Sequence, residues 1–168
     1  MQKSMSISLC MLMSALVGTD AAYSQVPAPC TSVEHRAFDF WVGEWVVHGT
    51  DGKQTGTSRI TREYGGCVIH ERYDTARGYS GESLNIYDES RKAWHQSWVD
   101  NTGMLLLLDG GIRDGKMVLL GQTTGPQGTI QHRITWTPNQ DGSVRQLWES
   151  TNADGQWTVA FDGHYTRK

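Results

Sequence analysis

The chain of 168 residues carries no cluster of basic side chains: 15 Lys and Arg stand against 18 Asp and Glu, a formal net charge of −3. Without a cationic stripe there is no electrostatic footprint for a phosphate backbone, which argues against nucleic acid as a partner. No Gly-x-Ser-x-Gly elbow announces a Ser-His-Asp hydrolase. "TTGPQG" at 123 lacks the spacing and the following helix of a phosphate loop, so it reads as a turn. "HER" at 70–72 is neither a zinc nor a hydrolase motif, because on a strand the residues flanking Glu71 point away from it. No linker, low-complexity tract or strong internal repeat divides the chain.

The first stretch has Lys3, an apolar run from Ile7 to Val17 and small residues at Ala22 and Ser24, the pattern of a secretory signal peptide cleaved after Ser24. The run is shorter than the roughly 20 apolar residues of a spanning helix, so no membrane span is expected in the mature protein. Cys10 lies within the run, and no lipobox precedes a cysteine at the cleavage point, which argues against lipidation. The leader removes Lys3 and Asp20 together and leaves the net charge unchanged. Residues 25–168 are the size of a single domain. The expected compartment is periplasmic or extracellular. There the remaining pair, Cys30 and Cys67, is more often a disulfide than half a metal site, and no metal site is expected.

Turn signals recur at short intervals, among them the Asp-Gly pairs at 114, 141 and 154, where Gly accepts the positive φ of a tight hairpin. The runs between them alternate in polarity or carry β-branched and aromatic residues, an all-β pattern. The spacing predicts about ten strands, near 44–49, 55–63, 66–74, 82–88, 92–100, 103–109, 115–123, 128–137, 143–150 and 156–166. Only "CTSVEHRAFDFW" could hold a helical turn, with Thr31 or Ser32 as its cap. An open sheet would expose two edges; closure into an up-and-down antiparallel barrel removes them, with a sandwich as the rival. "MLLLLDGG" at 104 reads as a buried strand or barrel rim.

The Gly43-Glu44-Trp45 core, on a first strand behind a helical turn, resembles the Gly-x-Trp signature of lipocalins and other calycins. With "GGC" at 65, "WVD" at 98, "RITWTP" at 133, "RQLWES" at 145 and "FDGHY" at 161, nearly the whole mature chain is similar to the exported calycin-like proteins of the DUF1579 group. The resemblance implies that Trp45 plugs the closed end of a barrel under a basic side chain of the last strand, here Arg167. Phe38, Phe40 and Trp41 would complete that floor, and Gly43 would let the chain turn into the first strand. Glu44 is expected on the surface or in a turn.

Alternate residues of a barrel strand face inward, so the apolar members phase each strand. This expectation collects Glu71, Leu84, Ile86, Trp94, Gln96, Trp98, His132, Ile134, Trp136, Gln146, Trp148 and Phe161 inside. The last strand, phased on Trp157, Val159, Phe161 and Tyr165, leaves His164 outside. His95 and Arg133 also face out, and Arg145 and Glu149 form an outer pair. An aromatic wall with four polar handles suits a pocket for a small apolar or aromatic molecule. The same pattern would arise if the polar groups only bonded one another or ordered water. Three functions follow. One is an exported binding protein, with Glu71, Trp94, Gln96, Trp98, His132, Trp136, Gln146 and Trp148 around the ligand. A second is an isomerase, cyclase or hydrolase using Glu71 and His132 as an acid–base pair. The third is a haem protein with His132 as axial ligand, by analogy with nitrobindin-like calycins; otherwise no cofactor is indicated.

Overall fold

A computed structural model describes residues 28–168; the expected leader lies outside the described residues. The first elements of the described residues are a one-turn helix, α1 (Val33–Arg36), and a 3-10 turn at Asp39–Trp41. Ten strands follow: β1 (Gly43–His48), β2 (Gln54–Glu63), β3 (Val68–Asp74), β4 (Ser80–Asp88), β5 (Ala93–Asp100), β6 (Leu105–Arg113), β7 (Lys116–Gly125), β8 (Gly128–Pro138), β9 (Val144–Thr151) and β10 (Trp157–Arg167). Each strand pairs antiparallel with its chain neighbours, and β1 pairs with β10, so the sheet closes into a barrel without free edges. The predicted strands are all present. Asp114 and Gly115, both at positive φ, make the tight turn between β6 and β7.

One end is sealed by rings. Phe38 stacks on Trp41 at 4.9 Å and meets Trp136 and Trp94 edge-on at 5.2 and 5.7 Å. All four are buried, and the Trp94 indole donates to the Glu34 carbonyl at 3.1 Å, tying α1 to β5. Trp45 is fully buried beneath Arg167, whose guanidinium lies 4.3 Å from the ring centre and donates to the Val42 carbonyl at 3.0 Å. That stacking shields the indole while the charge stays at the surface. A side chain at Gly43 would collide with the same guanidinium, so the glycine also makes room for the Arg167 cover.

Parity holds along β3, β5, β8 and β9, where Ile69, Glu71 and Tyr73, Trp94 and Gln96, His132, Ile134 and Trp136, and Val144 are buried. It fails on β4: Leu84 and Ile86 face solvent at 46% and 40% exposure, and Ser83 and Asn85 take the interior. The phase of β4 is set by polar bonds rather than apolar burial, since Ser83 donates to Glu71 and Asn85 bonds to Ser83 and Gln96. It fails again on β10, where a bulge between Val159 and Phe161 shifts the register. Trp157 and Val159 therefore point outward, Trp157 beneath the Arg133 guanidinium, while Phe161 and Tyr165 keep the inner face. The "LLLL" run alternates, with Leu106 and Leu108 buried and Leu105 and Leu107 exposed. Arg145 and Glu149 do not pair with each other; Arg145 binds Asp162 and Glu149 binds Arg133 across neighbouring strands.

A disulfide joins Cys30 to Cys67, just ahead of β3, and fastens the plug segment to the barrel wall. It closes a loop of sequence separation 37. Restricting the unfolded chain over that loop stabilises the fold by up to about 4 kcal/mol in the chain-entropy model. Replacing both cysteines by serine should lower the urea-unfolding free energy by about 2–4 kcal/mol, with the reduced wild type matching the variant. Unchanged stability would show that the bridge does not restrain the floor.

Candidate functional site

The plug fills one end of the barrel, and a cavity of about 370 Å³ occupies the other. Its lining reaches Thr55, Thr75 and Tyr79, beside the β1–β2 and β3–β4 connections, at the end opposite the floor. Tyr73, Tyr79, Trp98, Trp148, Phe161 and Tyr165 supply rings, Leu106 and Ile134 aliphatic surface, and Glu71, Gln96 and Gln146 polar groups. Trp98, Trp148 and Phe161 point inward yet are only partly buried, because they border this space. The volume matches a ligand of one or two rings and lies at the small end of binding pockets.

Glu71 is the centre of the polar lining. Its carboxyl accepts from Ser58 of β2 at 3.0 Å and Ser83 of β4 at 3.2 Å, with no cationic side chain against it among the described residues. The network continues from Ser83 through the Asn85 amide at 3.0 Å to the Gln96 amide, which donates to Asn85 Oδ1 at 2.8 Å. Across the barrel the Tyr165 hydroxyl donates to Gln146 Oε1 at 2.5 Å. Burial pushes the Glu71 carboxyl up to about 7, against the opposing effect of the Ser58 and Ser83 hydroxyls. Burial, then the Glu71 charge, pushes the Tyr165 phenol well above its ordinary value.

His132 is inward and buried, but it serves the wall. Its Nδ1 accepts the Trp148 indole N–H at 3.2 Å, which fixes the neutral tautomer with the proton on Nε2, facing Thr123 Oγ1 at 2.8 Å. Burial lowers its pKa, in keeping with that neutral form. His132 therefore positions Trp148, a cavity ring. It does not line the cavity and makes no hydrogen bond to Glu71. Both ring nitrogens of His132 are engaged within the wall, by Trp148 and Thr123.

Of the other residues expected around a ligand, Gln96, Trp98, Gln146 and Trp148 line the cavity beside Glu71. Trp94 and Trp136 belong to the floor instead, against Phe38. The structure adds Tyr73, Tyr79 and Tyr165, and behind them Ser58, Ser83 and Asn85. Tyr79 and Trp98 are held together by Asp100, which accepts from the phenol at 3.0 Å and the indole at 3.2 Å. Burial pushes the Asp100 carboxyl up, but donors from Thr102, Trp98 and Tyr79 outweigh it and hold it down at about 2. The two rings are thus fastened to one carboxylate.

Fold and site together define a closed ten-stranded antiparallel barrel with a ring-walled cavity around a buried carboxyl. No known family model matches the chain, and no curated protein matches it.

The raised Glu71 value has a sign that can be measured. An unfolded glutamate titrates near 4.5 and the folded group near 7, so the folded state holds its proton more tightly. This stabilisation is complete below pH 4.5 and is lost as pH rises through 7. The shift corresponds to about 3 kcal/mol. Urea unfolding of the wild type and Glu71→Gln at pH 4 and pH 9 should move in the variant's favour by about that amount. A difference that does not change with pH would mean that Glu71 is solvated or paired.

Proposed function

We propose that the protein binds a small hydrophobic or aromatic molecule inside the barrel. The observation that carries this reading is the cavity of about 370 Å³, walled by rings and furnished with a few polar groups. A barrel built only for stability would fill that space, as the opposite end does with Phe38, Trp41 and Trp136. The Asp100 clamp on Tyr79 and Trp98, and the His132 bond to Trp148, limit the side-chain entropy lost when a ligand is bound.

The protein works, on this reading, after export to a periplasmic or extracellular space. The Cys30–Cys67 bridge supports that compartment, since such bonds persist where thiols are not kept reduced. Among the described residues no helix is long and apolar enough to cross a membrane. Kinship with calycins is supported by Arg167 over Trp45 and by the helical turn ahead of β1.

The test is a panel of small neutral aromatic and aliphatic compounds read by tryptophan emission and melting temperature. Ligands should shift the emission through Trp98 and Trp148 and raise the melting temperature. Truncating Trp148 or Phe161 to alanine should weaken binding about tenfold through lost apolar contact. Truncating Trp157, on the outer face, should leave affinity alone. A panel without one stabilising compound would contradict the reading.

A further inference from the structure

We propose that the natural ligand is an organic amine, its ammonium group seated against the Glu71 carboxylate and its hydrocarbon body held between the cavity rings. The inference rests on the cavity being a ligand site and adds the sign of the ligand's charge.

The lining has one sign. Among the described residues that border the cavity, Glu71 is the carboxyl group, and no lysine, arginine or histidine accompanies it. The tyrosines do not alter this, because burial pushes Tyr73, Tyr79 and Tyr165 above the ordinary phenol value and keeps them neutral. An anionic ligand such as a fatty acid would find no counter-charge and would be repelled by ionised Glu71. A neutral ligand would leave that carboxylate as under-compensated as before.

A cation is the ligand that repairs the deficit. Two neutral hydroxyls, Ser58 and Ser83, donate to the carboxyl, one to each oxygen. A carboxylate offers about four lone-pair sites, so acceptor capacity remains. Gln96 spends its Nε2 on Asn85, which leaves its Oε1 as a further acceptor in the same lining. An ammonium brings three donors and no acceptor, and the open carboxylate lone pairs of Glu71 with the Gln96 Oε1 can receive them. Much of the remaining wall is aromatic. The rings of Tyr73, Tyr79, Trp98, Trp148 and Phe161 all border the cavity, and such faces attract a cation more strongly once water is excluded.

The pH dependence follows from the surroundings of Glu71. Ser58 faces it from β2, Ser83 from β4 and Tyr165 from β10, with Tyr73 beside it on β3; none of these carries charge near neutrality. An ammonium at the site favours the ionised carboxylate, so binding near pH 7 displaces the proton of Glu71 into solvent. The amine stays protonated, and no bond to carbon changes.

Titration calorimetry on the full chain with three probes of one ring and nearly one length decides the matter: 2-phenylethylamine, 2-phenylethanol and 3-phenylpropionate. At pH 8.5 the amine should bind at least about tenfold tighter than the alcohol, the size of one charge-assisted hydrogen bond, and the acid should bind weakest. The ratio of amine to alcohol affinity should shrink to within about threefold in Glu71→Gln, and likewise in the wild type at pH 5.5, where the carboxyl is protonated. The wild-type pH comparison carries the test even if the variant folds poorly. An amine no tighter than the alcohol, or an advantage that survives Glu71→Gln, overturns the amine assignment and leaves the cavity reading standing. Silence from all three probes also overturns the assignment; if the neutral panel is silent as well, the cavity reading falls with it.

Discussion

A carboxyl group placed inside a barrel without a cation beside it constrains everything around it. Glu71 must be met by hydrogen-bond donors, and Ser58 on β2 and Ser83 on β4 face it for that reason. Once Ser83 and Asn85 turn inward, Leu84 and Ile86 must turn out, because side chains alternate along a strand. A leucine and an isoleucine in solvent are thus part of the cost of housing one acid. The acid that imposes this cost borders the cavity.

Stability is supplied at the other end. The floor of Phe38, Trp41, Trp45, Trp94 and Trp136 is buried, and ring geometry, the Arg167 cover and the Cys30–Cys67 bridge hold it in place. Closure of β1 onto β10 sets Trp45 opposite Arg167 in register, so the strand pairing that completes the barrel also brings the guanidinium over the indole. With one end packed, the other can remain ring-lined and partly accessible without exposing sheet edges.

Much of this was legible in the chain itself. The Asp-Gly pairs and regular turn spacing gave away the strand count, and the inward positions of Glu71, Gln96, His132 and Trp148 followed from period-two alternation. The contact of Arg167 with Trp45 is not carried by strand alternation, which places a side chain inside or outside but does not pair it. What escaped has physical reasons. Phasing by apolarity assumes an apolar interior, and on β4 the interior side is polar because Glu71 demands donors. The bulge at Ala160 inserts a residue without a turn signature, so Trp157 and Val159 looked inward when they are not. His132 had the right parity for an acid–base partner, but its bond to Trp148 depends on the β8–β9 register, which becomes visible only in three dimensions. Paired serines at 58 and 83 carry no signal in a chain read one strand at a time.

The most direct measurement is a carbon-13 NMR titration of the Glu71 side-chain carboxyl in the ligand-free protein, assigned by comparison with Glu71→Gln. A carboxyl desolvated in a cavity and met only by neutral hydroxyls should titrate near 7. A midpoint near the ordinary 4.5 would mean that water or an opposite charge reaches Glu71, which contradicts a desolvated, cation-free barrel interior.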